Sequence, residues 1–307
     1  MVEHVHETVV ELRQVTKTYG SKKAVDHISL AIQKGSITAI LGPNGAGKTT
    51  ALSMILGLID PTEGDVTLFG RSPKDRQVKE KIGAMLQEVS VMDSLKAREI
   101  LQLIRGYYPH PMEMVELMKL TGLTEEELGK RATKMSGGQK RKLSFALALA
   151  GNPELLFFDE PTVGLDTTSR RLFWKTVRNL ADKGKTILFT THYLQEADDI
   201  ADRIVLFKDG RVVEEGTPDE IKSRLTRRSV SFAAETDQNL VRERLGALPG
   251  VTDVYEQEGR LHVVTENTDQ ALSFIFREEL PVRDVRIENG SLDEAFEQLT
   301  HKQEEAV

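Results

Sequence analysis

Residues 42–49 read GPNGAGKT, a stretch in which three of eight residues are glycine and a lysine precedes a hydroxyl side chain. The stretch fits the pattern G-x-x-x-x-G-K-[ST] through Gly42, Gly47, Lys48 and Thr49. Glycine lets the backbone wrap closely around a phosphate group, and the N–H groups at the start of a following helix favour an anion. The pattern therefore predicts a phosphate-binding loop (the P-loop), in which Lys48 reaches the terminal phosphates and Thr49 ligates Mg²⁺.

The segments on either side of the P-loop have the composition of a strand and a helix. SITAILG at 36–42 is a short apolar run, partly β-branched, that ends in glycine, as a buried strand feeding a loop does. KTTALSMILGL at 48–58 fits a helix. Strand, loop and helix in this order are the context that a P-loop requires, although a glycine-rich turn without a ligand remains the alternative.

A second run, ELLFFDE at 154–160, is continuously apolar and ends in two acids. Such a run is typical of a strand that is buried on both faces of a parallel sheet. An acid at the end of a buried strand needs a charged partner, and a magnesium nucleotide would provide one for Asp159. Glu160, one residue further on, could activate a water that attacks a γ-phosphate. Taken alone, the two residues could also be surface acids at a strand end.

A third stretch, MSGGQK at 135–140, predicts a helix that is capped by Ser136. Two glycines follow the cap, so the N–H groups of the first turn could approach an anion closely. A single nucleotide does not need two phosphate-binding segments in one chain, but two chains related by a two-fold axis could share them. A plain helix N-cap remains the alternative.

Together, GPNGAGKT, SGGQ, LLFFDEP, GLD and TTH resemble the ATP-binding-cassette (ABC) ATPases over residues 8 to about 225. The resemblance implies an α/β fold, a P-loop NTPase cassette with a RecA-like core and antiparallel β and helical subdomains. It also implies that two cassettes bind two ATP molecules between them. The P-loop of one cassette then faces the SGGQ motif of the other.

The same resemblance implies roles for single residues. Tyr19 lies where an aromatic side chain stacks on adenine, and Gln87 lies where a glutamine senses Mg²⁺ and links to the transporter. Asp166 matches a loop that crosses the dimer interface, and His192 matches the histidine that contacts the γ-phosphate. By themselves, Tyr19 would be a partly buried strand tyrosine and His192 an ordinary histidine at a strand end.

The motifs and the resemblance together give the predicted site. The predicted catalytic residues are Glu160, His192 and Lys48. The predicted ATP-binding residues are Tyr19, Gly42, Pro43, Asn44, Gly45, Ala46, Gly47, Lys48, Thr49, Thr50, Gln87, Ser136, Gly137, Gly138, Gln139 and Asp166. The predicted ligands of Mg²⁺ are Thr49, Gln87 and Asp159.

The sequence predicts an ABC ATPase domain at 1–225, with a helical subdomain at about 88–150, and a C-terminal accessory domain at 226–307. In the second domain, alternating apolar positions and helical periodicity predict seven elements. They are strand 229–234, helix 237–247, strands 251–256 and 260–265, helix 269–279, strand 282–288 and helix 291–299. The first six form a βαββαβ unit, the ferredoxin-like arrangement.

Net charge, cysteine content and the length of the apolar runs limit the partners and the chemistry that the sequence allows. The net charge of −7 argues against nucleic acid as a partner, and the absence of cysteine excludes disulfide and thiolate chemistry. The start of the chain lacks the pattern of a signal peptide, and no apolar run approaches the roughly 20 residues that span a bilayer. If the protein serves a membrane, we expect it to do so through a partner chain, and the resemblance implies a peripheral position at the cytoplasmic face of the cell membrane.

THYLQEAD at 191–198 and SLDEAFEQLT at 291–300 resemble the drug- and antibiotic-export branch, which is ABC-2 type and daunorubicin-resistance-like. The resemblance implies that ATP hydrolysis powers export of a drug, antibiotic or lipid-like substrate. The implied partners are a separate integral membrane permease and a second copy of the chain. The alternatives are a soluble ABC ATPase that acts on ribosomes or DNA, and the ATPase of an importer.

Overall fold

The computed structural model describes most of the chain and divides it into two compact units, Met1–Thr217 and Pro218–Val307. The described residues are 7–87, 94–225, 229–234, 238–257, 259–265, 267–288, 290, 292, 294 and 296. The sequence places the domain boundary after residue 225 instead. The difference is one short helix, Pro218–Leu225, which belongs to the second unit.

The first unit mixes strands and helices. Its strands are β1 (Thr8–Tyr19), β2 (Lys22–Gln33), β3 (Ile37–Leu41), β4 (Glu63–Leu68), β5 (Ile82–Met85), β6 (Leu155–Asp159), β7 (Thr186–Thr190), β8 (Arg203–Lys208) and β9 (Arg211–Gly216). Its α-helices are α1 (Lys48–Ile55), α2 (Arg76–Lys79), α3 (Ala97–Arg105), α4 (Met114–Thr121), α5 (Glu125–Gly129), α6 (Gly137–Leu149), α7 (Thr167–Asp182) and α8 (Leu194–Ile200).

A six-stranded sheet in the order β5-β6-β7-β3-β8-β9 forms the centre of this unit. The strands from β5 to β8 are parallel, and β9 returns antiparallel to β8 through a turn at Asp209 and Gly210. All residues of β3 and β7 are buried, in agreement with their continuous apolar runs. Because parallel strands share one carboxyl edge, the loops after β3, β5, β6 and β7 meet there.

One hydrophobic core joins this sheet to a second sheet and to the helix after the P-loop. The second sheet is antiparallel, in the order β2-β1-β4. It contributes residues such as Val15 and Leu30, α1 contributes Ile55, and the central sheet contributes Phe157 and Phe207. The P-loop is therefore fixed at both of its ends by buried elements.

An aromatic cluster packs helices α6 and α7 against the other face of the central sheet. Phe145 of α6 lies 5.7 Å from Phe158 of β6 and 4.8 Å from Phe173 of α7, measured between ring centroids. Trp174 of α7 lies 4.7 Å from Phe189 of β7. The cluster holds the helix that begins with the SGGQ motif against the strand that ends in Asp159. Helices α3 to α6 fall within the predicted helical subdomain, of which residues 88–93 lie outside the described chain.

The second unit has the predicted βαββαβ order. After helix α9 (Pro218–Leu225) it contains β10 (Ser229–Ala234), α10 (Gln238–Gly246), β11 (Val251–Gln257), β12 (Arg260–Thr265), α11 (Thr268–Arg277) and β13 (Val282–Glu288). The four strands form an antiparallel sheet in the order β11-β12-β10-β13.

The core of the second unit lies between its sheet and its helices. Val230 and Phe232 of β10 pack with Val263 of β12, Leu245 of α10 and Ile275 of α11. Ser229 and Ser231, which alternate with these apolar residues along β10, are buried as well. Most of the predicted helix 291–299 lies outside the described residues, although 292, 294 and 296 are helical. Throughout the described chain, the helices are too short or too polar to cross a membrane.

Candidate nucleotide site

The P-loop has a backbone that only glycine can adopt at two positions. The φ angle is 153° at Gly42 and 100° at Gly47. A Cβ atom at Gly42 would lie 2.3 Å from the carbonyl oxygen of Phe207, and one at Gly47 would lie 2.3 Å from that of Ala24. Strands β8 and β2 therefore approach the loop too closely for any side chain. Gly47 is also the N-cap of α1 and leaves the first turn without a side-chain cap, which favours an anion there.

Lys48 bends back over this loop. Its Nζ donates hydrogen bonds to the carbonyl oxygens of Gly42, at 2.6 Å, and Pro43, at 3.1 Å. Burial lowers the pKa of Lys48 from its usual value, whereas the carboxylates of Glu160 and Asp159 act to raise it. The P-loop ammonium therefore lies within electrostatic reach of both acids at the end of β6. Phosphate oxygens bound in the loop would replace the two carbonyls as its acceptors.

Strand β7 fixes the position of both acids through one residue, Thr190. The hydroxyl of Thr190 donates a hydrogen bond of 2.6 Å to Oδ1 of Asp159. The main-chain N–H of Glu160 in turn donates to Oγ1 of Thr190, at 3.1 Å, and to its carbonyl oxygen, at 3.2 Å. Glu160 has a φ angle of 51°, in the left-handed region that non-glycine residues seldom adopt. Backbone strain of this kind is concentrated at functional sites.

The carboxylate of Glu160 contacts the imidazole of a residue from the loop after β7. Its Oε2 contacts Nδ1 of His192. The side chain of Glu160 is only 17% exposed, whereas that of His192 is 55% exposed. The imidazole therefore lies between a mostly buried carboxylate and open solvent. This arrangement places a carboxylate that can accept a proton beside an exposed imidazole that can form hydrogen bonds.

The three predicted ligands of Mg²⁺ provide the donor types that this ion prefers. They are the hydroxyl of Thr49, the amide of Gln87 and the carboxylate of Asp159, all of which offer oxygen atoms. Thr49 lies in the first turn of α1, Asp159 ends β6, and Gln87 follows β5, so all three come from the carboxyl edge of the sheet. The donor set fits the ion.

The SGGQ motif begins α6, and the predicted cap at Ser136 is confirmed. Oγ of Ser136 accepts a hydrogen bond of 3.3 Å from the N–H of Gln139, and Oε1 of Gln139 accepts one of 3.0 Å from the N–H of Ser136. A Cβ atom at Gly137 or Gly138 would meet nothing within 4 Å. The packing of this chain therefore does not require either glycine. Contact between the motif and ATP stays a prediction.

The structure places two further predicted residues at exposed positions. Tyr19 ends β1 with 52% of its surface exposed, and the ammonium of Lys17 lies 5.3 Å from the centroid of its ring. The ring is open to stacking rather than buried in the sheet. Asp166 caps α7, where its Oδ1 accepts a hydrogen bond of 2.9 Å from the N–H of Ser169. That bond, with one from the Ser169 hydroxyl, lowers the pKa of Asp166 below its usual value.

Glu196, which lies one turn beyond His192, is not among the residues predicted from the sequence. Glu196 is only 6% exposed and accepts hydrogen bonds from the hydroxyls of Thr162, at 2.7 Å, and Thr191, at 2.9 Å. It also forms an ion pair of 3.3 Å with Arg170 of α7. Glu196 thus connects the loop after Glu160 to the loop that carries His192. The sequence offers no signal for it, because α8 also contains Asp198 and Asp199, and the sequence does not mark which of the three acids is buried.

A parallel sheet with a P-loop before α1 and two acids at the end of β6 defines a P-loop NTPase cassette. The sequence matches the ABC transporter family over residues 25–163. It is 36% identical over 219 residues to a Nod factor export ATP-binding protein I of Burkholderia orbicola (strain AU 1054). The aligned residues cover 68% of this chain and 71% of that protein. The chain belongs to the ABC transporter ATP-binding proteins.

A second relative extends over both units of the chain. A daunorubicin resistance ATP-binding protein of Streptomyces coeruleorubidus is 34% identical over 310 residues, which cover 95% of this chain and 94% of that protein. The part of the chain after residue 217 is therefore shared with a relative and is not peculiar to this protein.

Solved structures agree with this assignment. The structure of a dimeric bacterial ABC transporter cassette covers 68% of this chain and 98% of its own, at 31% identity and a TM-score of 0.63. A cassette in a dimeric, post-hydrolysis state bound to ADP and Pi has 31% identity, the same coverage and a TM-score of 0.62. The predicted family and the predicted α/β fold of the cassette are confirmed.

Proposed function

We propose that this chain is the ATP-hydrolysing subunit of an exporter, and that it powers a separate integral membrane permease. The observation that carries the proposal is the Glu160–His192 pair at the end of β6, with the Lys48 ammonium within electrostatic reach. The two relatives named above are export ATP-binding and drug-resistance ATP-binding proteins, which favours export over import. The substrate class is a drug, an antibiotic or a lipid-like molecule.

Each predicted residue has a definite task in this proposal. The P-loop N–H groups and Lys48 bind the β- and γ-phosphates, and the ring of Tyr19 stacks on adenine. Thr49, Gln87 and Asp159 would hold Mg²⁺, which neutralises charge on the phosphate oxygens. His192 orients the carboxylate of Glu160 and contacts the γ-phosphate.

Hydrolysis then requires a positioned water and a base. Glu160 accepts a proton from the water as the water oxygen bonds to the γ-phosphorus. The bond from that phosphorus to the bridging oxygen breaks, and ADP keeps the electron pair. Because Glu160 is mostly buried and fixed by Thr190 and His192, its carboxylate needs little reorganisation during this step.

The proposed assembly is a dimer of this chain at the cytoplasmic face of the membrane. The open surroundings of Gly137 and Gly138 leave room for the phosphates of an ATP held by the other copy. The permease would hold the dimer at the membrane, since the described part of the chain has no helix suited to crossing it. Nucleic acid is not an expected partner of a chain with a net charge of −7.

Removal of the metal tests the catalytic part of the proposal. We expect the purified chain to hydrolyse ATP in the presence of Mg²⁺ and to lose about 10²-fold or more of that rate in EDTA, because the ion supplies several kcal/mol of charge stabilisation. Excess Mg²⁺ should restore the rate. The measurement is phosphate release, with Lys48→Ala as the inactive control. Equal rates with and without chelator would contradict the assignment of Thr49, Gln87 and Asp159.

A second experiment tests the partner. We expect the tagged chain, purified from detergent-solubilised membranes of its host, to bring with it a stoichiometric integral membrane protein. An untagged chain treated in the same way controls for adsorption to the resin. Recovery of ribosomes or of DNA in place of a membrane protein would contradict the exporter and support the alternative class of soluble ABC ATPases.

A further inference from the structure

Arg141, in the first half of α6, makes contacts that none of the roles above accounts for. Its Nε donates a hydrogen bond of 2.8 Å to the carbonyl oxygen of Pro161, and its Nη1 donates one of 3.1 Å to that of Gln87. Its Nη2 donates to the carbonyl oxygen of Glu160. One side chain of α6 therefore contacts the main chain of two loops at the carboxyl edge of the central sheet.

The chemistry of the guanidinium group explains why arginine occupies this position. Its five N–H donors are fixed in one plane, so it can bind acceptors on two sides at once. A lysine ammonium is a compact charge and could not reach the loop after β5 and the loop after β6 together. Burial lowers the pKa of Arg141, while the nearby carboxylates of Asp159 and Glu160 act to raise it. The group thus stays charged in a partly buried place beside the two acids.

The main chain of Glu160 is held from both sides as a result. Thr190 of β7 binds its N–H, and Arg141 of α6 binds its carbonyl oxygen. Because these two bonds flank the Cα atom, they fix the direction in which the carboxylate leaves the backbone. The second bond comes from the helix that begins with Ser136, which the aromatic cluster packs against β6.

We propose that Arg141 is a positioning residue that links the helix of the SGGQ motif to Glu160 and Gln87. It holds the main chain of the base in its working orientation, and it connects any displacement of α6 on nucleotide binding to the loops that contact water and metal. The inference rests on the proposed function, in which Glu160 is the general base. The hydrogen bonds of Arg141 go to main-chain carbonyl oxygens, so we assign it a positioning role and not a catalytic one.

Substitution of Arg141 separates this role from nucleotide binding. Arg141→Met keeps much of the aliphatic stem and removes every donor, so we expect kcat for ATP hydrolysis to fall at least about 10-fold while KM and the affinity for ATP stay within about twofold. Arg141→Lys keeps the positive charge but lacks the planar set of guanidinium donors. Its kcat should therefore remain several-fold below that of the wild type. A wild-type kcat in Arg141→Lys would contradict the requirement for the planar guanidinium group.

A double variant tests whether Arg141 acts through Glu160. If it does, Glu160→Gln combined with Arg141→Met should be no slower than Glu160→Gln alone in single-turnover hydrolysis. If the fold losses in hydrolysis rate of the two single variants multiply in the double variant, the inference is wrong. A parallel fall in ATP affinity and melting temperature in Arg141→Met would also overturn it, because a merely structural role predicts that result. Arg141→Lys gives the same comparison if the methionine variant does not fold.

Lys142→Met provides the matched control on the same helix. Lys142 donates to the carbonyl oxygen of Gly122, at 3.1 Å, and to Oε1 of Glu127, at 3.2 Å, so its described contacts stay among the neighbouring helices. The kcat of Lys142→Met should stay within about twofold of that of the wild type. If the wild type itself hydrolyses no ATP, the proposed function fails. If the wild type, Lys142→Met and Arg141→Met hydrolyse ATP equally, only the inference about Arg141 fails.

Discussion

Glu160→Gln is expected to lower kcat for ATP hydrolysis by about 10² to 10⁴-fold and to leave ATP binding intact. Glutamine has the shape of glutamate and can still contact His192, but it cannot accept the proton of the attacking water. The loop after β6 is fixed by Thr190, so the substitution should not move Asp159 or the P-loop. Because ATP would be bound and not consumed, the variant should accumulate as a dimer. Phosphate release and sedimentation with ATP measure the two effects.

Glu154→Gln is the matched control for this prediction. Glu154 precedes β6 in the same apolar run, and it forms an ion pair of 2.9 Å with Lys81 in which both side chains are 45% exposed. An exposed pair of this kind contributes little to stability, so the control should hydrolyse ATP at the rate of the wild type. The role of Glu160 as the base is wrong if Glu160→Gln also retains that rate.

The strands around the site could be predicted because their signals are local. The apolar runs at 36–42 and 154–160 correspond to β3 and β6 of the parallel sheet. The P-loop could be predicted because its glycines meet a requirement of the backbone, the close approach of neighbouring strands at Gly42 and Gly47. In a parallel sheet these loops must share one edge, so the motifs had to lie near one another.

The contacts of Arg141 and Glu196 could not be predicted, because they depend on tertiary structure. In the sequence, Arg141 lies between Lys140 and Lys142 and resembles one of three solvated basic residues in a helix. Only the packing of α6 against β6 directs Arg141 towards the carbonyl oxygens of the two loops. Periodicity gives the face of a helix, but it does not give the partner of that face.

The boundary between the two units, unlike the contacts of Arg141 and Glu196, has a signal in the local sequence. The basic stretch KSRLTRR at 222–228 marks a change in composition, and the predicted boundary lies within it. The structure instead separates Thr217 from Pro218, where α9 begins. Proline is favoured at the first position of a helix, so Pro218 marks the start of a new element better than the charge of the stretch does.

Mixing two inactive variants is expected to restore ATP hydrolysis if the nucleotide lies between the P-loop of one chain and the SGGQ motif of the other. Lys48→Ala removes the ammonium of the P-loop, and Ser136→Ala removes the cap of α6. Each variant alone should be nearly inactive. A mixed dimer keeps one intact site, which combines the P-loop of the Ser136 variant with the SGGQ motif of the Lys48 variant. With equal amounts and free exchange, about one quarter of all sites are intact, because a two-fold dimer has two equivalent sites.

Single-turnover hydrolysis with protein in excess is the measurement, since one event at the intact site is then sufficient. The matched control mixes Lys48→Ala with the double variant Lys48→Ala and Ser136→Ala. The double variant provides neither an intact P-loop nor an intact cap, so none of its dimers can contain a complete site and no recovery is expected. Recovery in that control would attribute the activity to contamination. Full hydrolysis by a strictly monomeric wild-type protein would contradict the shared site, because a single chain would then supply every group that the reaction needs.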